Sequence, residues 1–231
     1  MIPAGLADRL RAVAREMPGG LAVFDADGTL WRDDVGEAFL RHLISLGWVT
    51  LPDGGDPYQE YERRVDQDKQ SGYAFAAQLQ AGLEVQRIGA EADRFARDWV
   101  PPRLVSDSQA LRALCLEAGL VPAAVSASPL PIVVAAAPLA GISRERCCGI
   151  EVEARRGRFT ELLVGPLTYA RGKVEAASRF GRIALGCGDS FTGDLALLES
   201  ARIAIAVAPA AGSPLSAEAQ RRGWPVLSQE G

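Results

Sequence analysis

The sequence predicts an α/β fold: a Rossmann-like parallel sheet core with helices on both faces and an inserted helical cap domain. From about residue 104 onward, short apolar runs typical of buried strands alternate with helical patterns. Another apolar run, at residues 21–24, lies far ahead of this half, and only helical patterning separates the two. Because strands that alternate with helices pair in parallel, the separating stretch is expected to be an insertion in the sheet domain.

The elements follow in order from the N-terminus. Apolar residues recur at helical spacing from Leu6 to Met17, and Pro-Gly-Gly at residues 18–20 ends that helix before the first strand. Helical patterning then covers residues 35–46, 58–70, 73–83 and 91–99, interrupted by the sequence LPDGGDP. The remaining elements are helices near residues 109–117, 132–139 and 173–180, and strands in LVPAAVSAS, CCGIEVEA, RIALGCGDS and RIAIAVA. These patterns predict a sheet domain of residues 1–30 and 104–231 and a helical cap of residues 31–103.

Composition and charge narrow the class of partner. The chain has 231 residues, of which 48% are hydrophobic, and this suits one large domain or a domain with a sizeable insertion. Its 25 basic and 29 acidic residues give a net charge of −4, which does not favour nucleic acid or an anionic membrane. The N-terminus lacks a signal-peptide pattern, and no apolar run reaches the length of a membrane span. We therefore expect a cytoplasmic protein with a small-molecule partner. The sequence does not indicate its oligomeric state.

Two catalytic classes are disfavoured by the residues present. His42 is the sole histidine and lies in a helical pattern beside Leu43, so a serine-histidine triad is not expected. The run GCGDSFTGD lacks the third glycine of a dinucleotide-binding loop, and Asp189 would repel a pyrophosphate.

The four cysteines show neither metal-ligand spacing nor a secreted disulfide pattern, so we expect reduced, mostly buried thiols.

Polar side chains follow three of the predicted strands. The first strand runs into Asp25 and Asp27, and the second ends with Ser126. A later strand ends with Asp189, and Asp194 follows five residues on. The carboxyl ends of parallel strands meet at one edge of a sheet, so these side chains are expected to lie together. Unpaired carboxylates there would cost on the order of several kcal/mol in desolvation, which requires a compensating cation or substrate.

Lys173, at the start of a predicted helix, supplies one cation for this edge. Carboxylates, a hard divalent cation and a lysine are typical of phosphoryl transfer, because the cations neutralise phosphoryl oxygens while a positioned nucleophile attacks in line. Mg²⁺ takes oxygen ligands and keeps several waters, so two or three protein oxygens suffice to hold it. The sequence therefore indicates a phosphoryl-transfer site at the strand ends.

Four ordered motifs support a resemblance that covers nearly the whole chain. They are Asp25-Ala26-Asp27-Gly28-Thr29, Ser126 after an apolar strand, Lys173 in GPLTYARGKVEA, and GDSFTGD with Asp189 and Asp194. With these motifs the sequence resembles the haloacid dehalogenase superfamily, and within it the phosphatase branch with a helical cap that includes phosphoserine phosphatases. The resemblance implies a Mg²⁺-dependent phosphoric monoester hydrolase with a small phosphomonoester as substrate.

The same resemblance implies roles for the individual carboxylates. Asp25 would be the nucleophile and form an aspartyl-phosphate. Asp27 would protonate the leaving alkoxide and later activate water, and its backbone carbonyl would bind Mg²⁺ together with Asp25 and Asp189. Asp194 would lie behind the metal ligands and orient a bound water or Lys173.

For the phosphoryl group the resemblance implies Lys173, Ser126 and the adjoining Ala127 as the binding residues. Dehalogenation is disfavoured, because displacement of a halide needs no acid at the position of Asp27. A non-catalytic phosphate-binding protein on the same scaffold is the alternative of another class. Such a protein is expected to lack at least one of the four central residues, and all are present: Asp25, Asp27, Lys173 and Asp189.

The predicted cap is expected to bind the part of the substrate beyond the phosphoryl group. In phosphoserine phosphatases an acid shortly after the nucleophile motif and an arginine in the cap bind the two charges of the amino acid. Here Asp34 or Glu37 supplies the acid, but GYAFAAQLQAG has glutamines in place of the arginine. A looser resemblance to phosphorylcholine phosphatases rests on WRDDVGEA and GYAFAAQ. We expect a substrate with a positive charge, although Asp34 and Glu37 also form a capping box that starts a helix.

Aromatic residues near these acids extend the same expectation. Trp31, Tyr73 and Phe75 offer ring faces that would each add roughly 0.5 to 2 kcal/mol toward a substituted ammonium group. The sequence therefore predicts that the cap binds a cationic group of the substrate through carboxylates and aromatic rings.

Overall fold

The computed structural model describes residues 2–52, 54–208 and 210–229. The outermost residues of the predicted sheet domain and position 53 of the predicted LPDGGDP break lie outside the described residues. The first helix, α1 (Leu6–Glu16), buries Leu6, Leu10 and Ala14 and precedes strand β1 (Leu21–Asp25). All residues of β1 are buried, including Asp25 at its end, and the apolar run before Asp25 is typical of a central strand.

A seven-stranded sheet forms the centre of the described chain. Its other strands are β2 (Val121–Pro129), β3 (Cys147–Arg155), β4 (Arg158–Val164), β5 (Ile183–Gly188), β6 (Ile203–Val207) and β7 (Val226–Leu227). The strand order is β4-β3-β2-β1-β5-β6-β7, and all neighbours pair in parallel except the antiparallel pair β3 and β4. The predicted α/β class with a Rossmann-like, mostly parallel sheet is therefore confirmed.

The helices between β1 and β2 are α2 (Val35–Ser45), α3 (Pro57–Gln67), α4 (Lys69–Gln78) and α5 (Val85–Trp99). Those after them are α6 (Ser106–Ala118), α7 (Leu130–Ala136), α8 (Arg171–Ser178), α9 (Phe191–Ser200) and α10 (Pro214–Arg222). Among the described helices, none combines the length and the hydropathy that crossing a lipid bilayer requires.

Helices cover both faces of the sheet. On one face, Phe24 of β1 belongs to a buried cluster with Leu10 of α1 and Leu111 of α6. On the other face, Val23 belongs to a separate cluster that includes Ala176 of α8 and residues of α9. Since successive strand residues point to opposite faces, β1 is covered on both sides, and its carboxyl end is left as the accessible part.

The two chain segments that lead into and out of the helices α2 to α5 lie side by side. The backbone N–H of Arg32 donates to the carbonyl of Arg103 at 2.9 Å, and that of Val105 donates to Leu30 at 3.0 Å. The guanidinium of Arg103 also lies 3.1 Å from the carboxylate of Asp33. The inserted helices therefore leave and rejoin the sheet at neighbouring points, directly after the carboxyl end of β1.

Several local features differ from the pattern in the sequence. No prediction covered α9, α10 or β7, and the next two differences change predicted elements. The predicted helix over residues 58–70 ends at Gln67, because Asp68 adopts an extended backbone and its carboxylate accepts the N–H groups of Gln70 and Ser71. A new helix therefore begins at Lys69. The hairpin of β3 and β4 is the second difference, since the sequence pattern predicted β3 without its antiparallel partner.

Candidate functional site

A cavity of about 380 Å³ lies at the carboxyl ends of β1, β2 and β5. This is the edge at which ligands bind in open α/β sheets. Of the side chains predicted from three strand ends, the four carboxylates line this cavity, whereas Ser126 does not. The cavity is lined from the sheet side by Asp25, Asp27, Gly28, Ala127, Ser128, Tyr169, Lys173, Asp189, Ser190, Gly193 and Asp194, and from the inserted segment by Asp33, Asp34, Lys69 and Tyr73.

Lys173 joins two carboxylates at the base of the cavity. Its Nζ donates to Oδ1 of Asp25 at 2.5 Å and to Oδ1 of Asp194 at 2.6 Å. All three side chains are almost completely buried. Burial alone would lower the pKa of Lys173, but the carboxylates of Asp194 and Asp25 raise it above its ordinary value, so the ammonium stays charged.

Asp25 lies in a strongly acidic environment. Burial raises the pKa of Asp25 well above its ordinary value, and the carboxylate of Asp194 raises it further, while Lys173 opposes the shift. Burial and Asp194 likewise raise the pKa of Asp189 to about 6. One lysine therefore does not balance the acids at this point, and the ionised form of Asp25 requires further positive charge.

The carboxylates beside Lys173 fit a divalent metal ion. One oxygen from each of Asp25, Asp189 and Asp194 lies within 4.8 Å of the other two. Oxygen ligands at such spacing suit Mg²⁺, and the raised pKa values of Asp25 and Asp189 are the electrostatic sign that a cation would be stabilised here. Gly28 permits this approach, because its φ is +81° and a Cβ there would lie 2.2 Å from Oδ2 of Asp189.

The carboxylate of Asp27 accepts four hydrogen bonds. Oδ1 accepts from the indole Nε1 of Trp31 at 2.9 Å and from the backbone N–H of Val35 at 2.7 Å. Oδ2 accepts from the hydroxyls of Ser126 at 2.7 Å and Ser128 at 2.9 Å. Asp27 is thus hydrogen-bonded to the inserted segment through Oδ1 and to the end of β2 through Oδ2.

The residues predicted to bind phosphate are placed differently from one another. Lys173 and Ala127 line the cavity. Ser126 is fully buried, and its hydroxyl donates to Asp27 while accepting the backbone N–H of Ser128. Ser128 lines the cavity and was not singled out from the sequence, although it follows Ser126 by two residues in the same strand. The strand alternation offers a signal, since Ser126 and Ser128 share one face.

The two acids predicted to bind the substrate differ in placement: Asp34 lines both the cavity and a neighbouring hollow, whereas Glu37 lines only that hollow. Asp34 lines the cavity, and burial together with the charge of Asp27 raises its pKa to about 7. Glu37 instead accepts the hydroxyl of Tyr58 at 2.6 Å and pairs with Arg41 at 3.2 Å. It lines a neighbouring hollow rather than the cavity described above. Asp34 also accepts the backbone N–H of Glu37, so the capping interaction at the start of α2 is present as well.

Lys69 provides a second cation at this cavity, and the sequence reasoning missed it. It lines the wall formed by the inserted segment, near Asp34 and Tyr73. The signal in the sequence was the Asp68 cap, which ends one helix and places Lys69 at the start of the next. This lysine comes from a part of the segment that precedes GYAFAAQLQAG, where a cation was expected.

The expected aromatic faces are only partly available. Tyr73 lines the cavity. Trp31 is fully buried with its indole N–H on Asp27, and the guanidinium of Arg64 lies 4.1 Å from the ring centre of Phe75. Of the three rings expected to face a substrate cation, only Tyr73 is placed at the cavity, and the expectation is wrong for Trp31 and Phe75.

Comparison with known proteins places this site in a family. The sequence profile of the haloacid dehalogenase-like hydrolases matches residues 22–199, a span that includes the carboxylates and the lysine described above. A search among curated proteins found no match.

Solved structures share the fold over almost the whole chain. A protein of unknown function from Bordetella pertussis Tohama I is 24% identical, covering 92% of this chain and 99% of its own, with a TM-score of 0.77. A conserved, functionally unknown protein from Anaerococcus prevotii DSM 20548 is 15% identical, with coverage of 96% and 90% and a TM-score of 0.68. A substrate-bound phosphoserine phosphatase is 14% identical, with coverage of 91% and 93% and a TM-score of 0.58.

Proposed function

The chain belongs to the haloacid dehalogenase-like hydrolases, and from that membership we propose that it is a Mg²⁺-dependent phosphatase of small phosphomonoesters. The observation that carries the proposal is the buried contact of Lys173 with Asp25 and Asp194, beside Asp189. A nucleophilic carboxylate approaches an anionic phosphate only when positive charge offsets the repulsion. In this arrangement one lysine supplies part of that charge, and a metal ion held by the neighbouring carboxylates would supply the rest.

In the first step, Asp25 attacks the phosphorus atom. A bond forms between a carboxylate oxygen of Asp25 and phosphorus, and the bond from phosphorus to the substrate's alkoxide oxygen breaks. Lys173 holds Asp25 in place and neutralises a phosphoryl oxygen, and Asp194 keeps Lys173 oriented. Ala127, which lines the cavity at the end of β2, completes the phosphate site in this proposal, and Ser126 would join it by turning its hydroxyl away from Asp27.

The metal site consists of Asp25, Asp189 and the backbone carbonyl of Asp27 in this proposal. When bound, Mg²⁺ supplies positive charge to the phosphoryl oxygens and to the nucleophile. The chain's part is to provide oxygen ligands, with Gly28 leaving the space that Asp189 needs. Asp194 lies behind these ligands through its contact with Lys173.

Asp27 moves the proton in both steps. It donates a proton to the departing alkoxide, which leaves as an alcohol. It then takes a proton from the water that attacks phosphorus, so that phosphate is released and the carboxylate of Asp25 is restored. Dehalogenation needs no such acid, and a non-catalytic phosphate-binding protein needs no nucleophile, so substitution of Asp25 and Asp27 separates these alternatives.

Residues 31–103 act as a cap over this site in our proposal, and residues 1–30 with 104–231 form the catalytic core. The neighbouring connections at residues 30–32 and 101–104 would serve as the hinge. Asp33, Asp34, Lys69 and Tyr73 bring the cap to the cavity wall. Closure would exclude bulk water from the phosphorylated carboxylate.

The substrate proposed is a phosphate ester that carries an amine, and phosphoserine is the first candidate. Asp34 offers a carboxylate for the amine, and Lys69 on the same wall offers an ammonium for a carboxylate. These two charges match the two charges of an amino acid. A phosphorylcholine-type substrate is the alternative, for which Tyr73 is the available ring face.

The proposal is tested with purified protein, an aryl phosphate and added Mg²⁺. Phosphate release that requires Mg²⁺ and is abolished by Asp25→Asn supports it, because a neutral amide cannot serve as the nucleophile. Tight phosphate binding without turnover would instead favour the non-catalytic alternative.

A further inference from the structure

The two oxygens of Asp27 have hydrogen-bond partners of different chemistry. Both donors to Oδ1 are N–H groups, from the indole of Trp31 and the backbone of Val35. Both donors to Oδ2 are hydroxyls, from Ser126 and Ser128. An N–H group of this kind only donates, whereas a hydroxyl rotates and can either donate or accept.

This difference decides where a protonated Asp27 holds its proton. A proton on Oδ1 would point at the hydrogens of Trp31 and Val35 and would leave both N–H groups without an acceptor. A proton on Oδ2 meets hydroxyls that can turn to accept it. Ser126 Oγ already accepts the backbone N–H of Ser128, so the hydroxyl of Ser128 is the less committed acceptor.

We infer that Trp31 is a positioning residue: together with the backbone N–H of Val35, its indole N–H holds Oδ1 of Asp27 and so leaves the transferable proton to Oδ2, the oxygen that Ser128 contacts at the cavity wall. This inference rests on the proposed role of Asp27 as the proton donor to the leaving group. The oxygen that delivers the proton is Oδ2, and the O–H bond of Oδ2 breaks as the alkoxide oxygen takes the proton. Ser128 holds the proton-bearing oxygen until the alkoxide forms.

The surroundings of Trp31 fix its indole firmly enough for this task. The side chain is fully buried, and its backbone carbonyl accepts the N–H of Gly28 at 2.8 Å, within the same loop as Asp27. Ser128 packs closely against the backbone of Gly36, because a Cβ added at Gly36 would lie 2.3 Å from the Oγ of Ser128. Neither partner of Asp27 is therefore a mobile surface group.

Trp31→Phe tests the inference, because it removes the N–H and keeps an aromatic ring. We measure single-turnover phosphorylation by esters whose leaving groups range from activated aryl alcohols to simple alkyl alcohols. Loss of correct proton placement is expected to slow alkyl esters about tenfold and activated aryl esters less than about threefold, since only the alkyl leaving group needs the proton. Phe39→Leu, in the same buried cluster, serves as the control for destabilisation alone.

An equal loss for alkyl and aryl esters in Trp31→Phe would overturn the inference, since a structural defect alone has no leaving-group dependence. If that variant does not fold, Ser128→Ala provides the test, with the same greater loss expected for alkyl esters and the same overturning result. Asp27→Asn is measured in parallel. If Asp27→Asn itself shows no leaving-group dependence, the proposed role of Asp27 fails, whereas dependence in Asp27→Asn without dependence in Trp31→Phe removes only the role of Trp31.

Discussion

Lys173 and Asp25 form a buried ion pair, with Nζ 2.5 Å from Oδ1, although 148 positions separate them in the sequence. The lysine lies in the first turn of α8 and the carboxylate ends β1, so the pair links two elements at the sheet's carboxyl edge. Asp194 shares the same ammonium. Two buried carboxylates therefore share the charge of one lysine, and loss of that charge affects both of them.

Lys173→Met is expected to lower kcat/KM for an aryl phosphate by at least about a thousandfold, because phosphate and Asp25 lose their shared cation. Steady-state kinetics measures this loss, and circular dichroism checks that the variant is folded. Arg171→Met, two residues earlier and exposed, is the matched control and should keep the wild-type rate. A Lys173→Met variant that is folded and retains more than about a tenth of the activity would contradict the role of the lysine.

Asp189→Asn is expected to raise the Mg²⁺ concentration needed for half-maximal activity by roughly tenfold or more, because a neutral amide replaces a charged ligand. Activity is titrated with Mg²⁺ after treatment with a chelator. Asp93→Asn is the control, since Asp93 pairs with Arg144 away from the cavity. A metal titration that is unchanged in Asp189→Asn, or activity that survives excess chelator, would count against the metal site.

Asp34→Asn and Lys69→Gln are expected to raise KM for phosphoserine by about tenfold each and to leave a plain aryl phosphate nearly unaffected, since only phosphoserine carries the two complementary charges. The measurement is a panel of phosphoserine, phosphoethanolamine, phosphorylcholine, glycerol phosphate, sugar phosphates and nucleoside monophosphates. A best kcat/KM on a neutral sugar or a nucleotide, with a ranking that neither variant alters, would remove the proposed substrate class and leave the phosphatase intact.

The raised pKa of Asp34 makes stability depend on pH in a defined direction. Its carboxyl titrates near pH 7 in the folded chain and near its ordinary pKa of 3.8 when unfolded. Between these values the unfolded state releases the proton first, so the free energy of unfolding falls as pH rises. In Asp34→Asn this pH-dependent loss of stability is absent, and the asparagine side chain still caps α2. Its stability relative to wild type should therefore rise from pH 4 to pH 7, by roughly 1 to 4 kcal/mol.

Urea unfolding of both proteins in chelator, at pH 4, 5.5, 7 and 8, measures that difference. The carboxyls of Asp25 and Asp189 titrate in both proteins, so their contribution largely cancels. A stability difference that stays constant over this range would show that Asp34 has an ordinary pKa in the folded chain.

Strand ends were the most informative part of the sequence. A buried apolar run has few ways to end in carboxylates, and the carboxyl ends of parallel strands converge, so the sequence placed Asp25 and Asp189 at one edge of the sheet. Lys173 was assigned to the same edge from its place at the start of a predicted helix. The pairing of β3 with β4 was not predicted, because its turn depends on local backbone at Arg156 and Gly157, which both have positive φ.

Side chains whose importance depends on three-dimensional placement were harder to find. Lys69 reaches the cavity only because Asp68 breaks a predicted helix, and Ser128 is significant only through its hydroxyl on Asp27. Trp31 was expected to offer a ring face, but its burial and its N–H bond to Asp27 exclude that use. Periodicity identifies which residues belong to a face, but it does not show which atom a polar group will contact.

Trapping of the phosphorylated protein tests the central proposal most directly. Asp27→Asn slows the hydrolysis of the phosphorylated carboxylate, so this variant is mixed with an activated aryl phosphate and Mg²⁺ and quenched in acid within one turnover. Mass spectrometry of its peptides should locate a phosphoryl group on Asp25, and the double variant Asp25→Asn with Asp27→Asn should show none. A phosphoryl group on a different residue, or release of phosphate with the peptide of Asp25 unmodified at every time point, would contradict Asp25 as the nucleophile.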